Sequence, residues 1–174
     1  TMFVPGYDNG KARLQRWFGV DLWTLGGWYY NQDLRYDMGG IILAANKRKS
    51  ISQKVGWLGF AYTPDANGYY AQYHWFGIGY PAASPFDGQK QVVCASSYAY
   101  SDTSFGSPYP VGVGCDQTGG TSGGPWILAF GTGYYLNGNM SYRYSQPNHP
   151  LEIFSPYFGD GAYNLWYALV TDYP

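Results

Sequence analysis

The stretch of this chain with most chemical content is Thr118-Gly119-Gly120-Thr121-Ser122-Gly123-Gly124-Pro125-Trp126. A serine set among glycines suits a nucleophile. Glycine reaches backbone angles closed to other residues and lets a substrate approach without a Cβ in the way. Consecutive amides in such a loop can also point into one hollow and hold an oxyanion. A flexible Gly/Ser loop with no chemistry is the plain alternative. A serine hydroxyl becomes a good nucleophile only when a base takes its proton. The chain has two histidines, His74 and His149. His74 reads as part of a strand beside Trp75, and His149, between Asn148 and Pro150, as a turn residue. Cys94 and Cys115 make an even count, which fits one disulfide formed in an oxidising compartment; two free buried thiols are the alternative. There is no Cys-x-x-Cys and no His/Cys cluster, so neither a zinc site nor any other metal or cofactor is expected.

The elements that must position these residues are short and β-prone. Of 174 residues, aromatics make up 21% and charged residues 12%, and the net charge is -1. So many aromatics and so few charges exclude a disordered chain. A single glutamate, Glu152, argues against a helical bundle. No apolar run approaches the roughly 20 residues of a membrane span, so no membrane is expected as a partner. A near-neutral chain does not suit nucleic acid, whose binding neutralises phosphates with many Lys and Arg; Lys47-Arg48-Lys49 reads as a solvated loop. Strands are predicted at Arg16–Val20, Gly27–Asn31, Met38–Ala45, Val55–Tyr62, Tyr73–Tyr80, Gln91–Ala95, Pro125–Phe130 and Tyr134–Tyr144. Turn clusters separate them at Thr63–Gly68, Pro81–Gly88, Ser101–Pro110 and Gln146–Pro150. Ala162, Leu165, Trp166 and Leu169 recur at helical spacing after a potential N-cap, Asp160, which predicts one C-terminal helix serving as a packing lid. The fold class is all-β, a barrel or sandwich.

Gly120-Thr121-Ser122-Gly123-Gly124 formally fits the nucleophile elbow of α/β-hydrolases. That motif needs a helix after the serine and a histidine after the acid. Here Pro125–Leu128 reads as a strand, and no histidine comes after Glu152, Asp160 or Asp172. The block resembles instead the nucleophile motif of the trypsin-like serine peptidases, through Ser122-Gly123-Gly124-Pro125, with Thr121 where the digestive enzymes carry Asp. Gly119–Gly123 is closest to the bacterial glutamyl-endopeptidase-like branch. Arg35-Tyr36-Asp37-Met38-Gly39-Gly40-Ile41-Ile42-Leu43 resembles the block bearing the triad aspartate. Gly79-Tyr80-Pro81, Asn137–Tyr142 and Pro156–Asp160 resemble further family segments, in family order along nearly the whole chain.

The resemblance implies two packed antiparallel β-barrels and a short C-terminal helix. Residues 1–62 would be the remainder of the first barrel with the triad Asp, and residues 63–174 the second barrel with the nucleophile. It implies Ser122 as nucleophile, the Gly120 and Ser122 amides as oxyanion hole, and Asp37 as the group orienting the catalytic imidazole. Asp37 could equally be an ordinary turn residue. Ser141 and Tyr142 would offer backbone to an extended polypeptide substrate. Asp116, six residues before Ser122, would line the primary pocket and select Arg or Lys, although a loop Asp is the plainer reading. Arg143 would narrow or charge the cleft. Asn139-Met140-Ser141 is a glycosylation sequon on the same strand, where use is not expected.

The family order is His…Asp…Ser, yet residues 1–36 hold no histidine. Asp37, His74 and Ser122 stand in the subtilisin order, but a subtilisin-like serine is not succeeded by a run such as Gly123-Gly124-Pro125. The expectation is therefore a secreted, extracellular serine endopeptidase whose general-base histidine lies in a segment upstream of Thr1, a segment that would also complete the first barrel. On this expectation the 174-residue chain alone is inactive. A pseudopeptidase kept for binding or structure is the alternative, and a carbohydrate-binding β protein a third.

Overall fold

The computed structural model describes residues 1–64, 73–145 and 151–171. The predicted turns at Thr63–Gly68 and Gln146–Pro150 fall partly or wholly outside them, as do His149 and Asp172. The elements run β1 (Met2–Phe3), β2 (Tyr7–Asp8), β3 (Lys11–Ala12), β4 (Trp17–Thr24), α1 (Gly26–Asn31), a 3-10 turn (Leu34–Tyr36), β5 (Gly39–Leu43), α2 (Ile51–Val55) and β6 (Gly59–Phe60). Next come β7 (His74–Gly79), β8 (Val92–Ser101), β9 (Val111–Gly114), β10 (Pro125–Leu128), β11 (Tyr135–Asn139), β12 (Glu152–Ser155) and α3 (Asp160–Thr171).

The chain is mostly β, in two main sheets. β1, β4 and β5 form a three-stranded antiparallel sheet, and seven strands form the other, in the order β12-β9-β8-β7-β10-β11-β6. An isolated bridge between Tyr142 and Phe154 joins the run after β11 to β12, so the larger sheet curls back on itself. Its interior is packed by Trp75, Val111, Val113, Trp126, Met140, Ile153 and Tyr157. Alternate residues of β7 turn inward: Trp75, Gly77 and Gly79 are buried while His74 is exposed.

α3 holds the two sheets together. Ala162 and Leu165 are buried with Met38 and Phe158, and Trp23 and Leu25 pack on them from one side, Phe60 and Leu136 from the other. The helix begins at Asp160, so that carboxylate lies in the first turn rather than at the cap. Leu169 seats where Gly40 leaves room; a Cβ at Gly40 would overlap it.

Several strand predictions need correction. Gly27–Asn31 is a helix, closed by Gln32 in the left-handed region at φ 52°. Val55–Tyr62 splits into the end of α2 and the short β6. α2 starts at a capping box, in which Ser50 and Gln53 satisfy each other's backbone amides. β8 extends through Ser101, and β9 and β12 were not anticipated.

Cys94, on β8, is disulfide-bonded to Cys115, just after β9, with a Cα–Cα distance of 5.5 Å. The bond closes a loop across a sequence separation of 21 residues. Replacing both cysteines by alanine is expected to cost about 3 kcal/mol through the freed unfolded chain. Equilibrium unfolding in urea checks this, and an unchanged midpoint would contradict it.

Candidate active site

Ser122 lies on the loop between β9 and β10, and this loop is fastened at almost every residue. Gln117 is fully buried; its Nε2 donates to the carbonyls of Gly77 on β7 and Val92 on β8, at 3.0 and 3.1 Å. Its Oε1 accepts from the Thr121 hydroxyl at 2.5 Å. The Thr118 hydroxyl donates to the Ala83 carbonyl, and the Gly119 carbonyl accepts from the amides of Ala82 and Ala83 at 2.7 and 3.0 Å. Beyond the serine, the Gly123 amide donates to Met140 and the Gly124 amide to Thr121. β7 makes room for all this by its glycines: a side chain at Gly79 would overlap the Thr121 hydroxyl.

Two amides are left over. Neither Gly120 N–H nor Ser122 N–H donates to any acceptor among the described residues, whereas the Thr121 amide between them is taken by Thr118. Gly120 sits at φ +99°, a conformation that glycine tolerates and L side chains rarely adopt. The pattern is what an oxyanion hole requires: donors fixed in direction and without a partner. Ser122 is exposed, and its hydroxyl likewise has no partner among the described residues.

Asp37 approaches from the other sheet. It comes directly after the 3-10 turn, whose N-cap Asp33 accepts from the Arg35 amide and pairs with the Arg35 guanidinium at 2.6 Å. That side-chain hydrogen bond holds the Asp33 carboxyl below its ordinary value against the opposing effect of burial. Two side chains from the end of β11 and the run beyond it then grip Asp37. The Ser141 hydroxyl donates to Oδ2 at 2.6 Å, and Asn139 Nδ2 donates to the Asp37 carbonyl at 3.2 Å. Oδ1 has no partner among the described residues and remains able to accept from an imidazole N–H. Asp37 and Ser122 line one cavity of about 750 Å³ between the sheets, with Leu22, Ile41, Phe60 and Leu169 among its apolar walls.

The other anticipated residues are placed differently. His74 is exposed on β7, with Nδ1 3.1 Å from Ser97 Oγ; it lines a separate groove with Phe76, Phe130 and Tyr135 and does not reach Ser122 or Asp37. Tyr142 pairs with Phe154 on β12. Arg143 Nη1 donates to the Gln117 carbonyl at 3.2 Å. Asp116 is exposed between buried Cys115 and Gln117. The Asn139 amide, turned to Asp37, is poorly disposed to carry a glycan. Sequence reasoning missed Gln117 and Asn139 as parts of this assembly. The glycines two apart in β7 were the available signal for the first. Among the described residues no group of three or more His, Cys, Asp or Glu could hold a metal ion, and no helix is long and apolar enough to cross a membrane.

No protein-family model matches the chain, and no curated protein matches it significantly. Solved structures do. A thermostable serine protease, AL20, from an extremophilic microorganism is 35% identical, with a TM-score of 0.83 over 98% of this chain and 75% of that one. Protease Anisep from Arthrobacter nicotinovorans is 28% identical, with a TM-score of 0.80 over 95% of this chain and 72% of that one. A Glu endopeptidase solved with MPD is 16% identical, with a TM-score of 0.71 over 98% and 72%; at that identity the likeness is one of fold. The nucleophile-like serine loop, the aspartate gripped across two sheets and the likeness to these proteases converge: the chain belongs to the trypsin-like serine peptidase family.

Proposed function

We propose that the protein is a secreted serine endopeptidase that cleaves peptide bonds through an acyl-enzyme on Ser122. The observation that carries this reading is the meeting of Ser122 and Asp37 at one cavity, on a serine loop that keeps two unengaged amides. In the proposed reaction an imidazole takes the Ser122 proton as Oγ attacks the substrate carbonyl, and the Gly120 and Ser122 amides receive the oxyanion. The same imidazole returns the proton to the leaving amine, and water then frees the acyl group by the reverse steps. Asp37 Oδ1 orients the imidazole and stabilises its cation. Asp116 would present its charge to a basic substrate side chain, while Arg143, tied to the Gln117 carbonyl, would narrow the same opening. The disulfide fits an oxidising, extracellular setting.

The imidazole is proposed to come from a segment upstream of Thr1. Two observations support this. The matched protease chains are longer, this chain spanning 75% and 72% of two of them. One face of β4 and β5, reaching the rim of this cavity at Leu22 and Ile41, is also apolar and open: Phe18, Val20 and Leu22 are 60–62% exposed, and Ile41 43%. A contiguous apolar face of this kind normally has a cover. The second reading, a pseudopeptidase, is favoured by one fact: among the described residues, neither Asp37 nor Ser122 shares its cavity with a histidine.

A fluorophosphonate probe separates the two. Expressed with its native upstream sequence, the protein is expected to be labelled at Ser122, located by mass spectrometry of the modified peptide, while the 174-residue chain alone stays unlabelled. No label on a protein whose upstream sequence supplies a histidine would sink the peptidase reading.

A further inference from the structure

The run Ser141–Tyr144 is held at two places by two different carboxylates. Asp37 takes the Ser141 hydroxyl. Asp102, only 4% exposed, takes the two tyrosines: its Oδ2 accepts from Tyr142 OH at 2.7 Å and Tyr144 OH at 2.5 Å. Its other oxygen accepts from the Ser104 amide at 2.9 Å, and its own amide donates to the Pro110 carbonyl at 2.8 Å. Asp102 is thus built into the start of the loop between β8 and β9. Arg35 Nη1 reaches the same loop at the Ser107 carbonyl, so the loop touches the turn before Asp37 as well.

The two tyrosines cannot easily move once held. The Tyr142 ring stacks on Phe154 at 4.9 Å between centroids and meets Phe105 edge-on at 5.9 Å. Tyr144 meets Phe154 edge-on at 5.6 Å. Burial by itself would raise the Asp102 carboxyl, but the two tyrosine hydroxyls and the Ser104 amide outweigh it, and the group stays below its ordinary value. Tyr142 is pushed up, first by burial and then by this hydrogen bond. Both shifts describe an ionised carboxylate accepting from neutral hydroxyls, the stronger kind of hydrogen bond. On its other side the run is open: the Ser141 carbonyl has no partner among the described residues.

We propose that Asp102 is a positioning residue for substrate binding, fixing Tyr142 and Tyr144 and through them the backbone with which an extended polypeptide pairs. The inference rests on the peptidase reading for its consequence in turnover, but binding tests it separately. Without the carboxylate, the two partly buried tyrosine hydroxyls lose this acceptor, and the run loses the hold on both of its tyrosine side chains while keeping Ser141 and the backbone pairing of Tyr142 with Phe154. The loss therefore falls on recognition of extended chains.

Fluorescence anisotropy with a labelled, unfolded polypeptide of mixed sequence, titrated with the 174-residue chain, measures this directly. Asp102→Ala is expected to weaken binding about tenfold. Asp102→Asn, which keeps an acceptor oxygen, is expected to recover most of that. The double variant Tyr142→Phe, Tyr144→Phe keeps the rings and the carboxylate but removes the hydrogen bonds between them, and so guards against a folding defect in Asp102→Ala; it too should bind about tenfold more weakly. In the protein with its upstream segment, the same variants should raise KM for the polypeptide rather than lower kcat. Failure of the wild-type chain to bind polypeptide, equal affinity of wild type and variants, or a fall in kcat with KM unchanged would overturn the proposal. Weakened binding by the variants, together with no fluorophosphonate label on the protein whose upstream sequence supplies a histidine, would uphold Asp102 and sink the peptidase reading instead.

Discussion

Asp37→Asn is expected to lower kcat about 10⁴-fold in the protein carrying the proposed histidine, with folding retained. The size comes from how the carboxylate is divided. Oδ2 accepts from Ser141, and Oδ1 is left for the imidazole. In the amide, the single oxygen satisfies Ser141, and the NH₂ group then faces the imidazole. An NH₂ group cannot accept from imidazole N–H, so the ring adopts the other tautomer and presents a donor, not a base, to Ser122. Folding survives because the Ser141 hydroxyl keeps an acceptor and the Asp37 carbonyl keeps Asn139. Ser141→Ala gives the contrast. It removes one hydrogen bond to a charged group, worth about 1.5–3 kcal/mol, and is expected to cost on the order of 10- to 100-fold. Steady-state kinetics on a peptide substrate, with thermal melts as the folding check, measure both. If Asp37→Asn stays within tenfold of wild type, Asp37 is an ordinary turn residue and its place in the triad is lost.

The parts of this design that could be read from sequence are those written in local patterns. The serine loop carries its glycines in a row, β7 alternates visibly, and the C-terminal helix shows its apolar stripe. The parts that could not be read depend on distant partners. The hydrogen bond between Ser141 and Asp37 joins residues 104 apart, and that between Gln117 and Gly77 residues 40 apart; no spacing rule reaches across such gaps. Gly26–Asn31 misled through composition. Trp28, Tyr29 and Tyr30 favour strands when half-buried on a sheet, but here Tyr29 and Tyr30 are 70% and 80% exposed on a six-residue helix, too short to show a period. α2 was a different kind of miss. Its capping box, Ser50 with Gln53, stood in the sequence and was passed over for the β-prone residues after it. β9 and β12 are four-residue strands that pair with each other, buried by the barrel they complete rather than marked by alternation.

Gly120→Ala is expected to lower kcat by about 10²- to 10³-fold, the loss of one oxyanion donor. The Gly119–Gly120 peptide is trans and planar, so its C=O and N–H point in opposite directions. Its carbonyl is locked onto the amides of Ala82 and Ala83, which turns the Gly120 N–H away from them. A Cβ at Gly120 would lie 2.8 Å from both Ala82 N and Ala82 Cβ, and 3.3 Å from the Tyr80 carbonyl. It therefore strikes the group that fixes the carbonyl, and relieving the clash rotates the peptide and swings the N–H off the oxyanion. Backbone strain at φ +99° adds to this. Gly123 supplies the control. It too has a positive φ, +80°, but a Cβ there would meet nothing within 4 Å. Gly123→Ala carries strain alone and should cost less than about tenfold. Adding Ala82→Gly to Gly120→Ala removes the Cβ–Cβ contact but leaves Ala82 N and the strained φ in place, so activity should recover only slightly. Rates of peptide hydrolysis and of fluorophosphonate labelling, taken on wild type and all three variants, decide the matter. Equal losses in Gly120→Ala and Gly123→Ala would mean that loop strain, and not the direction of one amide, sets the effect, and the Gly120 amide would drop out of the oxyanion hole.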